Sequence, residues 1–253
     1  MNGSDFCLRA FGCSDIGLVR TNNEDIWDII KKYAFFILAD GMGGHRAGEI
    51  AAKEAVRSVC RSIHKLFSAT TEKDLVDLSF HCKSSIENAN SWVHFLGRER
   101  RECSGMGTTL CTLLFHKGFV ICGHVGDSRV YRYRQGCLKQ LTLDHSLINP
   151  LRYGGGVYLP PTHRCLCRKV LTRAVGTYER VRPDMRITSV NLHDVYLVCT
   201  DGLTDCVTDQ QIMQVLQQHL SPEETTQLLI KLAKQRGGND NITIITIQVN
   251  DRR

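Results

Sequence analysis

The sequence contains little proline and few aromatic residues. Only 5 of its 253 residues are proline, and the aromatic residues make up 7%. This composition excludes a proline-rich linker, and the sequence also lacks low-complexity tracts and repeats of solenoid period. Long hydrophobic runs are missing too: the run at 33–39 has seven residues, whereas a membrane span needs about 20. The first residues lack the basic and apolar regions of an export signal. We therefore expect a cytoplasmic protein without membrane contact.

Neither the charge nor the cysteine content indicates a special class of protein. The sequence has 32 basic and 26 acidic residues, and this net charge of +6 is too weak to predict nucleic-acid binding. Twelve cysteines are many, but disulfide scaffolds are typical of short secreted chains. We interpret most of the cysteines as small buried hydrophobic side chains in a reduced cytosol. The chain is long enough to bury a full hydrophobic core.

Apolar periodicity predicts alternating groups of helices and strands. We expect helices at 48–64, 74–95 and 209–219, and a fourth after a capping-box sequence at 221–224. Short β-branched or aromatic runs predict strands at 33–39, 108–115, 118–124, 128–134, 137–141, 194–200 and 241–249. The strands between 108 and 134 are joined by short turns, so we expect an antiparallel meander there. The whole order predicts an α+β fold, a four-layer α-β-β-α sandwich of two antiparallel sheets flanked by helices.

Four aspartates lie at the ends of predicted strands. Asp40 and Asp201 follow strands and precede glycine, Asp127 lies between two strands, and Asp240 precedes the last strand. Each of them could simply mark a turn, since Asp-Gly and Asn-Asp are turn signals. Together they place several carboxylates at the edge of a packed core, which is costly unless they are paired or bind a cation. Because hard divalent cations prefer oxygen ligands, the pattern favours such a cation site.

Eight sequence motifs carry a resemblance to a known family. They are RTNNED (20–25), ADGMGGHRAGE (39–49), SGMGTT (104–109), GHVGDSR (123–129), LDHS (143–146), LTRAVG (171–176), CTDGL (199–203) and GNDNIT (238–243). These motifs resemble those of the metal-dependent serine/threonine protein phosphatases of the 2C type, and they stand in the family's order. The bacterial branch, with a single catalytic domain, is the most similar. The resemblance runs from about residue 12 to residue 249, so we interpret residues 1–253 as one catalytic domain.

The resemblance implies a function and its cofactors. It implies a phosphoprotein phosphatase that hydrolyses phosphoserine and phosphothreonine by attack of a metal-bridging hydroxide. It also implies two Mn²⁺ or Mg²⁺ ions, with a possible third, and phosphoprotein substrates whose phosphorylation is the work of a cognate serine/threonine kinase. We expect a monomer that binds neither nucleic acid nor membranes. Two alternatives remain open from the residues alone: a non-enzymatic phosphoprotein-binding module and a hydrolase of small phosphate esters.

The resemblance also implies a role for individual residues. The expected metal ligands are Asp40, which bridges two ions, the Gly41 carbonyl, Asp201, Asp240 and, for a third ion shared with Asp201, Asp127. The other expected site residues are Asp25, which contacts a metal-bound water, Glu24, which supports this arrangement, and Arg20, which binds the phosphate.

Three further expectations concern the proton donor and the surroundings of the metal. His45 is a candidate general acid by its residue type and place. A metal-bound water is an equal candidate, because the family's eukaryotic members carry their acid histidine where this sequence has Met42. Asn239 and Asn241 are expected to position Asp240 through hydrogen bonds.

The segment at about 145–170 departs from the family pattern. More than about 15 residues without clear structure indicate a functional loop, which we call the flap. Loops on a rigid scaffold often carry specificity, so we expect substrate choice to depend on the flap. His163, Cys165 and Cys167 form a weak zinc-like pattern, because no matching cysteine pair accompanies them. Cys165 and Cys167 are the pair that we would test for oxidation.

Overall fold

A computed structural model describes residues 6–43, 47–68, 73–147 and 170–251. The strands within these ranges are β1 (Phe6–Asp15), β2 (Asp25–Ile30), β3 (Phe35–Met42), β4 (Gly107–Thr108), β5 (Leu110–His116), β6 (Phe119–Val125), β7 (Arg129–Arg134), β8 (Cys137–Gln140), β9 (Asp184–Ser189), β10 (Val195–Cys199) and β11 (Ile242–Asp251). The α-helices are α1 (Ala47–Ser68), α2 (Leu75–Glu99), α3 (Asp201–Thr204), α4 (Asp209–Leu216) and α5 (Pro222–Gln235).

The strands form two antiparallel sheets. One has the order β1-β11-β10-β7-β8, and the other has the order β2-β3-β5-β6-β9, with the short β4 paired to β3. The terminal strands β1 and β11 pair along their whole length, from Phe6 opposite Asp251 to Asp15 opposite Ile242. This pairing joins the two ends of the described chain in one sheet.

Alternating side chains divide the core into three layers. On β10, Tyr196 and Val198 pack between the two sheets, while Leu197 and Cys199 pack under α3, α4 and α5. Similarly, alternate residues of β3 pack between the sheets and under α1 and α2. Because both faces of these strands are covered, they are continuously apolar. The predicted α-β-β-α sandwich is confirmed.

The helical predictions are confirmed, with different ends for some helices. The helix predicted at 48–64 is α1, which continues to Ser68. Asp74 caps α2, and its side chain accepts a hydrogen bond from the Asp77 amide at 2.7 Å. The predicted capping box begins α5, where the side chains of Ser221 and Glu224 each accept from the other residue's backbone N–H.

The predicted meander at 108–134 is wrong in part. β5 and β6 form a hairpin, as predicted, but β7 pairs with β10 and β8 in the other sheet. The chain therefore crosses between sheets after β6. Gly126 has a φ of +106°, a backbone conformation that glycine adopts without steric cost, and it redirects the chain at this crossing.

Three strands were not predicted from the sequence. β1 and β9 are edge strands, and both carry polar residues among partly exposed ones. β2 begins with a buried aspartate, Asp25. A period-2 apolar pattern is weak in such strands, since only part of each is buried.

Several expectations concern parts of the chain that the structure does not describe. Most of the flap, with His163, Cys165 and Cys167, lies outside the described residues, so the zinc and oxidation hypotheses stay predictions. None of the helices within the described ranges has the length and apolar character that a membrane crossing requires.

Candidate metal centre and active site

Four predicted metal ligands meet at one end of the sandwich. Asp40, Asp127, Asp201 and Asp240 line a single cavity of about 730 Å³. They come from the end of β3, the crossing between β6 and β7, the start of α3 and the residues just before β11. The structure therefore brings together aspartates that are up to 200 positions apart in the sequence, as the strand-end pattern predicted.

Asp25 lies beside Asp40, directly opposite it in the β2–β3 ladder. Its side chain is buried, and Oδ2 accepts hydrogen bonds from Oγ1 of Thr200 at 3.0 Å and of Thr243 at 2.7 Å. Oδ1 is equally buried, and it has no hydrogen-bond partner within the described residues. A buried carboxylate oxygen without a partner is costly, so Asp25 has an atom available for a ligand.

A chain of polar side chains orients the donors around Asp25. Thr243 donates to a carboxylate, so the bond between Thr243 Oγ1 and Ser14 Oγ, 2.6 Å long, takes its hydrogen from Ser14. Ser14 in turn accepts from Nδ2 of Asn23 at 2.8 Å. Ser14 lies on β1 and Thr243 on β11, so the two paired strands hold the donors in place.

Asn241 connects the metal-site loops. Its Nδ2 donates to the carbonyls of Ile16 at 3.0 Å and Asn22 at 2.9 Å, and its Oδ1 accepts from the Glu24 amide at 2.9 Å. Its own amide donates to Oδ1 of Asp240 at 2.8 Å. Asn241 therefore contacts Asp240 through its backbone amide, and its predicted role toward the metal site stays a prediction. Its side chain holds the loop that carries Arg20 and Glu24.

Two glycines permit a close approach of backbones at the site. A Cβ atom on Gly41 would lie 2.2 Å from the carbonyl oxygen of Gly48, and one on Gly202 would lie 2.0 Å from that of Asn241. No real Cβ contact is so short, so both positions require glycine. Tight packing is the reason here, and a positive φ is not required at either position.

The backbone of Asp40 is anchored to the wall that carries Asp127. The Asp40 carbonyl accepts from Oγ1 of Thr108 and from the Thr109 amide, each at 2.8 Å. Thr109 Oγ1 also accepts from the Asp40 amide at 3.0 Å and lies 2.7 Å from Oγ of Ser128, the neighbour of Asp127. β3 and the β6–β7 crossing are thus held at a fixed separation.

Burial and mutual repulsion raise the pKa of three carboxyls. Burial raises the pKa of Asp25 to about 7, although Thr200 and Thr243 donate hydrogen bonds to it. Burial and the neighbouring carboxylates raise the pKa of Asp40 well above its usual range. Burial, together with the charge of Asp201, raises the pKa of Asp127 to about 7.

These features fit a site for divalent cations. Like-charged carboxylates in a shared buried site are unfavourable in their ionised form, and a cation removes both the repulsion and the cost of burial. The unpartnered oxygen of Asp25 and the all-oxygen donor set are what hard cations such as Mg²⁺ and Mn²⁺ require.

Arg20 lies at the rim of the cavity. Its Nη2 donates to Oδ2 of Asp240 at 2.7 Å, and its side chain is about half exposed. This hydrogen bond raises the pKa of the guanidinium further, so Arg20 is charged. The remaining N–H groups of its planar fork are suited to a phosphate.

Other predicted site residues have different outcomes. His45 lies outside the described residues. Glu24 and Asn241 line the cavity. The side chain of Asn239 is exposed, and within the described chain no hydrogen bond joins it to Asp240, so its role stays a prediction. Sequence reasoning missed Thr200 and Thr243; their places within the CTDGL and GNDNIT motifs were the available signal.

Comparisons with known proteins agree with this geometry. The family model described as "Protein phosphatase 2C" matches residues 15–242. The chain is 31% identical over 240 residues to the serine/threonine phosphatase stp of Listeria welshimeri, and the match covers 94% of each chain.

Solved structures of similar proteins share the fold. The serine/threonine phosphatase of S. agalactiae has a TM-score of 0.86 at 34% identity, covering 95% of this chain and 99% of that one. The catalytic domain of the phosphatase PstP, solved with two manganese ions, has a TM-score of 0.81 at 33% identity, covering 97% and 100%. The family match over most of the chain, these relatives and the carboxylate-lined cavity lead to one conclusion. The chain belongs to the protein phosphatase 2C family and is a metal-dependent serine/threonine protein phosphatase.

Proposed function

We propose that the carboxylates of the cavity bind two Mn²⁺ or Mg²⁺ ions and a weaker third one, and that this centre dephosphorylates phosphoserine and phosphothreonine in phosphoproteins. The observation that carries the proposal is the convergence of four aspartates from distant parts of the chain on one cavity, with a fifth buried beside them. The two manganese ions in the PstP structure support the number of tightly held ions.

The proposed ligands are those that the resemblance to the family implies, and the placement of the aspartates around one cavity supports them. Asp40 and the backbone carbonyl of Gly41 would hold the two tighter ions. Asp201 and Asp240 complete the pair of sites, and Asp127 with Asp201 holds the weaker ion. When bound, divalent ions lower the pKa of a coordinated water and neutralise phosphate charge.

Asp25 and Glu24 act on the ligands and the solvent around them. Asp25 presents its unpartnered Oδ1 while Thr200 and Thr243 hold the other oxygen. It is therefore a fixed acceptor that orients a water molecule. A Cβ on Gly48 would lie 2.0 Å from Oε2 of Glu24. The Glu24 carboxylate therefore lies against the start of α1 and supports the backbone there.

Arg20 binds the phosphate of the substrate. Its position on the cavity rim and its exposure leave it accessible to a phosphoprotein. A guanidinium matches two phosphate oxygens with two parallel N–H donors. The ion pair with Asp240 holds the side chain over the cavity before the substrate arrives.

The proton for the leaving alkoxide comes from His45 or from a metal-bound water. Replacement of His45 by glutamine separates the two. If His45 is the donor, kcat for a phosphopeptide falls, whereas an aryl phosphate, whose leaving group needs less protonation, is affected less. An unchanged kcat for both substrates in the glutamine variant would assign the role to water.

We propose the following biological setting for the enzyme. The enzyme is a cytoplasmic monomer with one catalytic domain, and it reverses the action of a cognate serine/threonine kinase. The relatives named as serine/threonine phosphatases support the substrate class. Pull-down of a kinase and analytical ultracentrifugation test the partner and the monomer.

The central experiment measures hydrolysis of phosphoserine, phosphothreonine and small phosphate esters with added Mn²⁺. We expect chelation to abolish turnover and Asp40→Asn and Asp201→Asn to remove it. Asp77→Asn, an exposed aspartate on α2, is the matched control and keeps full activity. Full activity of Asp40→Asn and Asp201→Asn would contradict the proposed site, and a preference for small esters would contradict the substrate class.

Arg20→Ala tests the phosphate contact. We expect it to raise KM for a phosphopeptide more than it changes the Mn²⁺ affinity, with Arg20→Lys intermediate because lysine keeps the charge without the planar fork. An unchanged KM would remove Arg20 from the phosphate site.

A further inference from the structure

Two buried histidines hold the backbone of Gly126, the residue before Asp127. The Gly126 amide donates to Nδ1 of His145 at 3.1 Å, and the Gly126 carbonyl accepts from the backbone N–H of His145 at 2.8 Å. The same carbonyl lies 2.8 Å from Nε2 of His124. The histidines are 1% and 3% exposed, and their rings are 4.3 Å apart. Both polar groups of the Gly126 backbone are thus held in a site closed to solvent.

The hydrogen bonds assign a tautomer to each ring. Nδ1 of His145 accepts from Gly126, so its ring hydrogen is on Nε2, which lies 3.1 Å from Oδ2 of Asp184. Nε2 of His124 faces a carbonyl and therefore carries a hydrogen. Burial keeps both rings neutral near pH 7, because it lowers the pKa of His124 to about 4 and also lowers that of His145.

The same network reaches the wall of the active-site cavity. Arg173, which lines the cavity, donates from Nη1 to Oδ1 of Asp184 at 2.7 Å. The His145 carbonyl accepts from the amide of Thr172, another lining residue, at 2.8 Å. The cavity wall at 172–173 is therefore tied to His145 through both its backbone and its side chain.

The position of Asp127 depends on the Gly126 peptide. The chain crosses from one sheet to the other here, and Gly126 has a positive φ. A Cβ on Gly126 would lie 2.7 Å from Cβ of Thr109, so the backbone is confined on that side as well. The two histidines bind the Gly126 amide and the Gly126 carbonyl, and this carbonyl is part of the Gly126–Asp127 peptide. The histidines therefore set the orientation of the peptide that leads into Asp127.

We propose that His145, braced by Asp184, is a positioning residue that fixes the Asp127 carboxylate for cation binding. Arg173 holds Asp184, and His124 secures the opposite side of the Gly126 backbone. The chain Arg173–Asp184–His145–Gly126 is called the relay below. This assignment rests on the proposed function, in which Asp127 and Asp201 bind the weaker ion.

An alternative role for His124, His145 and Asp184 is to bind a metal ion themselves. One ligand atom each of His124, His145 and Asp184 lies within 4.8 Å of the other two, and Nδ1 of His124 has no hydrogen-bond partner in the described part of the chain. The relay is favoured because both ring nitrogens of His145 and both oxygens of Asp184 already make hydrogen bonds. A metal would have to displace the Nε2 hydrogen of His145.

Asp184→Asn is the main test, because Asp184 is partly exposed, lies outside the cavity and acts two contacts away from Asp127. We expect the Mn²⁺ dissociation constant from calorimetry, and with it the Mn²⁺ concentration for half-maximal activity, to rise about tenfold, the lower end of the range for losing a group that supports a metal ligand. KM for the phosphopeptide at saturating Mn²⁺ stays unchanged. His145→Leu has the same effect, and His145→Asn, which keeps an acceptor near the Nδ1 position, restores much of the affinity.

A double-variant cycle distinguishes positioning from general destabilisation. If the relay acts through Asp127, Asp184→Asn produces no further loss of Mn²⁺ affinity in an Asp127→Asn background. Glu87→Gln, which removes an exposed ion pair with Lys83 on α2, is the control and changes nothing. Additive losses would overturn the relay. If His145→Leu does not fold, as circular dichroism would show, the Asp184→Asn cycle decides alone.

The outcomes separate this inference from the proposed function. A wild-type protein without Mn²⁺-dependent phosphopeptide hydrolysis would overturn the proposed function itself. An active wild type, with unchanged half-saturation in both Asp184→Asn and His145→Leu, would overturn only the relay. Zinc that copurifies with the wild type and is absent from Asp184→Asn would overturn the relay in favour of a metal at the histidines.

Discussion

Lowering the pH from 8 to 6 is expected to weaken Mn²⁺ binding. In the ion-free protein the pKa values of Asp25 and Asp127 are raised to about 7, so both carboxyls become protonated as the pH falls through 7. A cation needs their charged forms. Binding must therefore displace protons below pH 7, and the apparent affinity rises with pH until both groups are ionised.

The size of the effect follows from the pKa values. A carboxyl with a pKa of 7 is about 9% charged at pH 6 and about 91% charged at pH 8. Each such carboxyl lowers the apparent Mn²⁺ affinity about tenfold when the pH falls from 8 to 6, which corresponds to about 1.4 kcal/mol of binding free energy. If Asp25 and Asp127 both act on bound ions, the affinity falls about a hundredfold.

Isothermal titration calorimetry measures this effect directly. Titrations of Mn²⁺ in buffers of different ionisation enthalpy give both the affinity and the number of protons released. We expect Asp25 and Asp127 each to release about 0.9 proton at pH 6 and about 0.1 proton at pH 8, because these are the fractions protonated before the ion binds. Equal affinities at pH 6 and pH 8, without proton release, would refute the raised pKa values and the assignment of these carboxyls to the ion sites.

A pair of threonine variants provides the control. Thr243→Val removes a donor that lowers the pKa of Asp25, so the loss of Mn²⁺ affinity should begin at a higher pH. Thr246→Val makes the same change on the same strand, where the hydroxyl instead contacts Thr226 at 2.7 Å. Only Thr243→Val should move the pH profile, and a shift in both variants would point to altered packing of β11.

Three further predictions concern stability and packing. Folding raises the pKa of Asp25 and Asp127, so the folded protein binds more protons than the unfolded chain. The stability that these two protonated carboxyls contribute is therefore present at acid pH and is lost as the pH rises through 7. The chelated protein should melt at a higher temperature at pH 6 than at pH 8, and saturating Mn²⁺ should reduce the difference; a higher melting temperature at pH 8 without metal would contradict it. Gly41→Ala should destabilise the protein by about 3 kcal/mol and abolish activity, because its Cβ would lie 2.2 Å from a carbonyl oxygen. Gly97→Ala, whose Cβ would lie 3.3 Å from the carbonyl oxygen of Cys103, should be tolerated. Urea titrations of the two variants measure the difference, and equal stabilities would disprove the close approach of Gly41 to Gly48. Ser221→Ala should cost about 1 kcal/mol through the lost helix cap without changing kcat; a loss of activity at native stability would show a role beyond capping.

Local patterns predicted much of the fold because they depend on neighbouring residues. The Ser221–Glu224 capping box and the apolar spacing of α1 are set within one or two helical turns. The strongly apolar strands, such as β10 and β11, are buried on both faces, so their composition alone identified them. The edge strands β1 and β9 lack this signal because part of each faces solvent.

Pairing between distant strands is less accessible from the sequence. The hairpin of β5 and β6 was predicted because the two strands share a short turn. The next strand, β7, leaves that sheet and pairs with β10, about 65 residues further along the chain. A short connection is compatible with either partner, and only the packing of the two sheets selects one.

The sequence by itself determined the family, the α+β sandwich and the aspartates at the ends of the strands, because each of these depends on local motifs and on their order along the chain. The tertiary structure alone decided that Thr200 and Thr243 hold Asp25, that Gly41 and Gly202 are required by close backbone packing, and that two histidines hold the peptide before Asp127. The physical reason is the same in each case. Hydrogen bonds and steric contacts act between atoms that the fold brings together from distant positions, and no spacing along the chain encodes those distances.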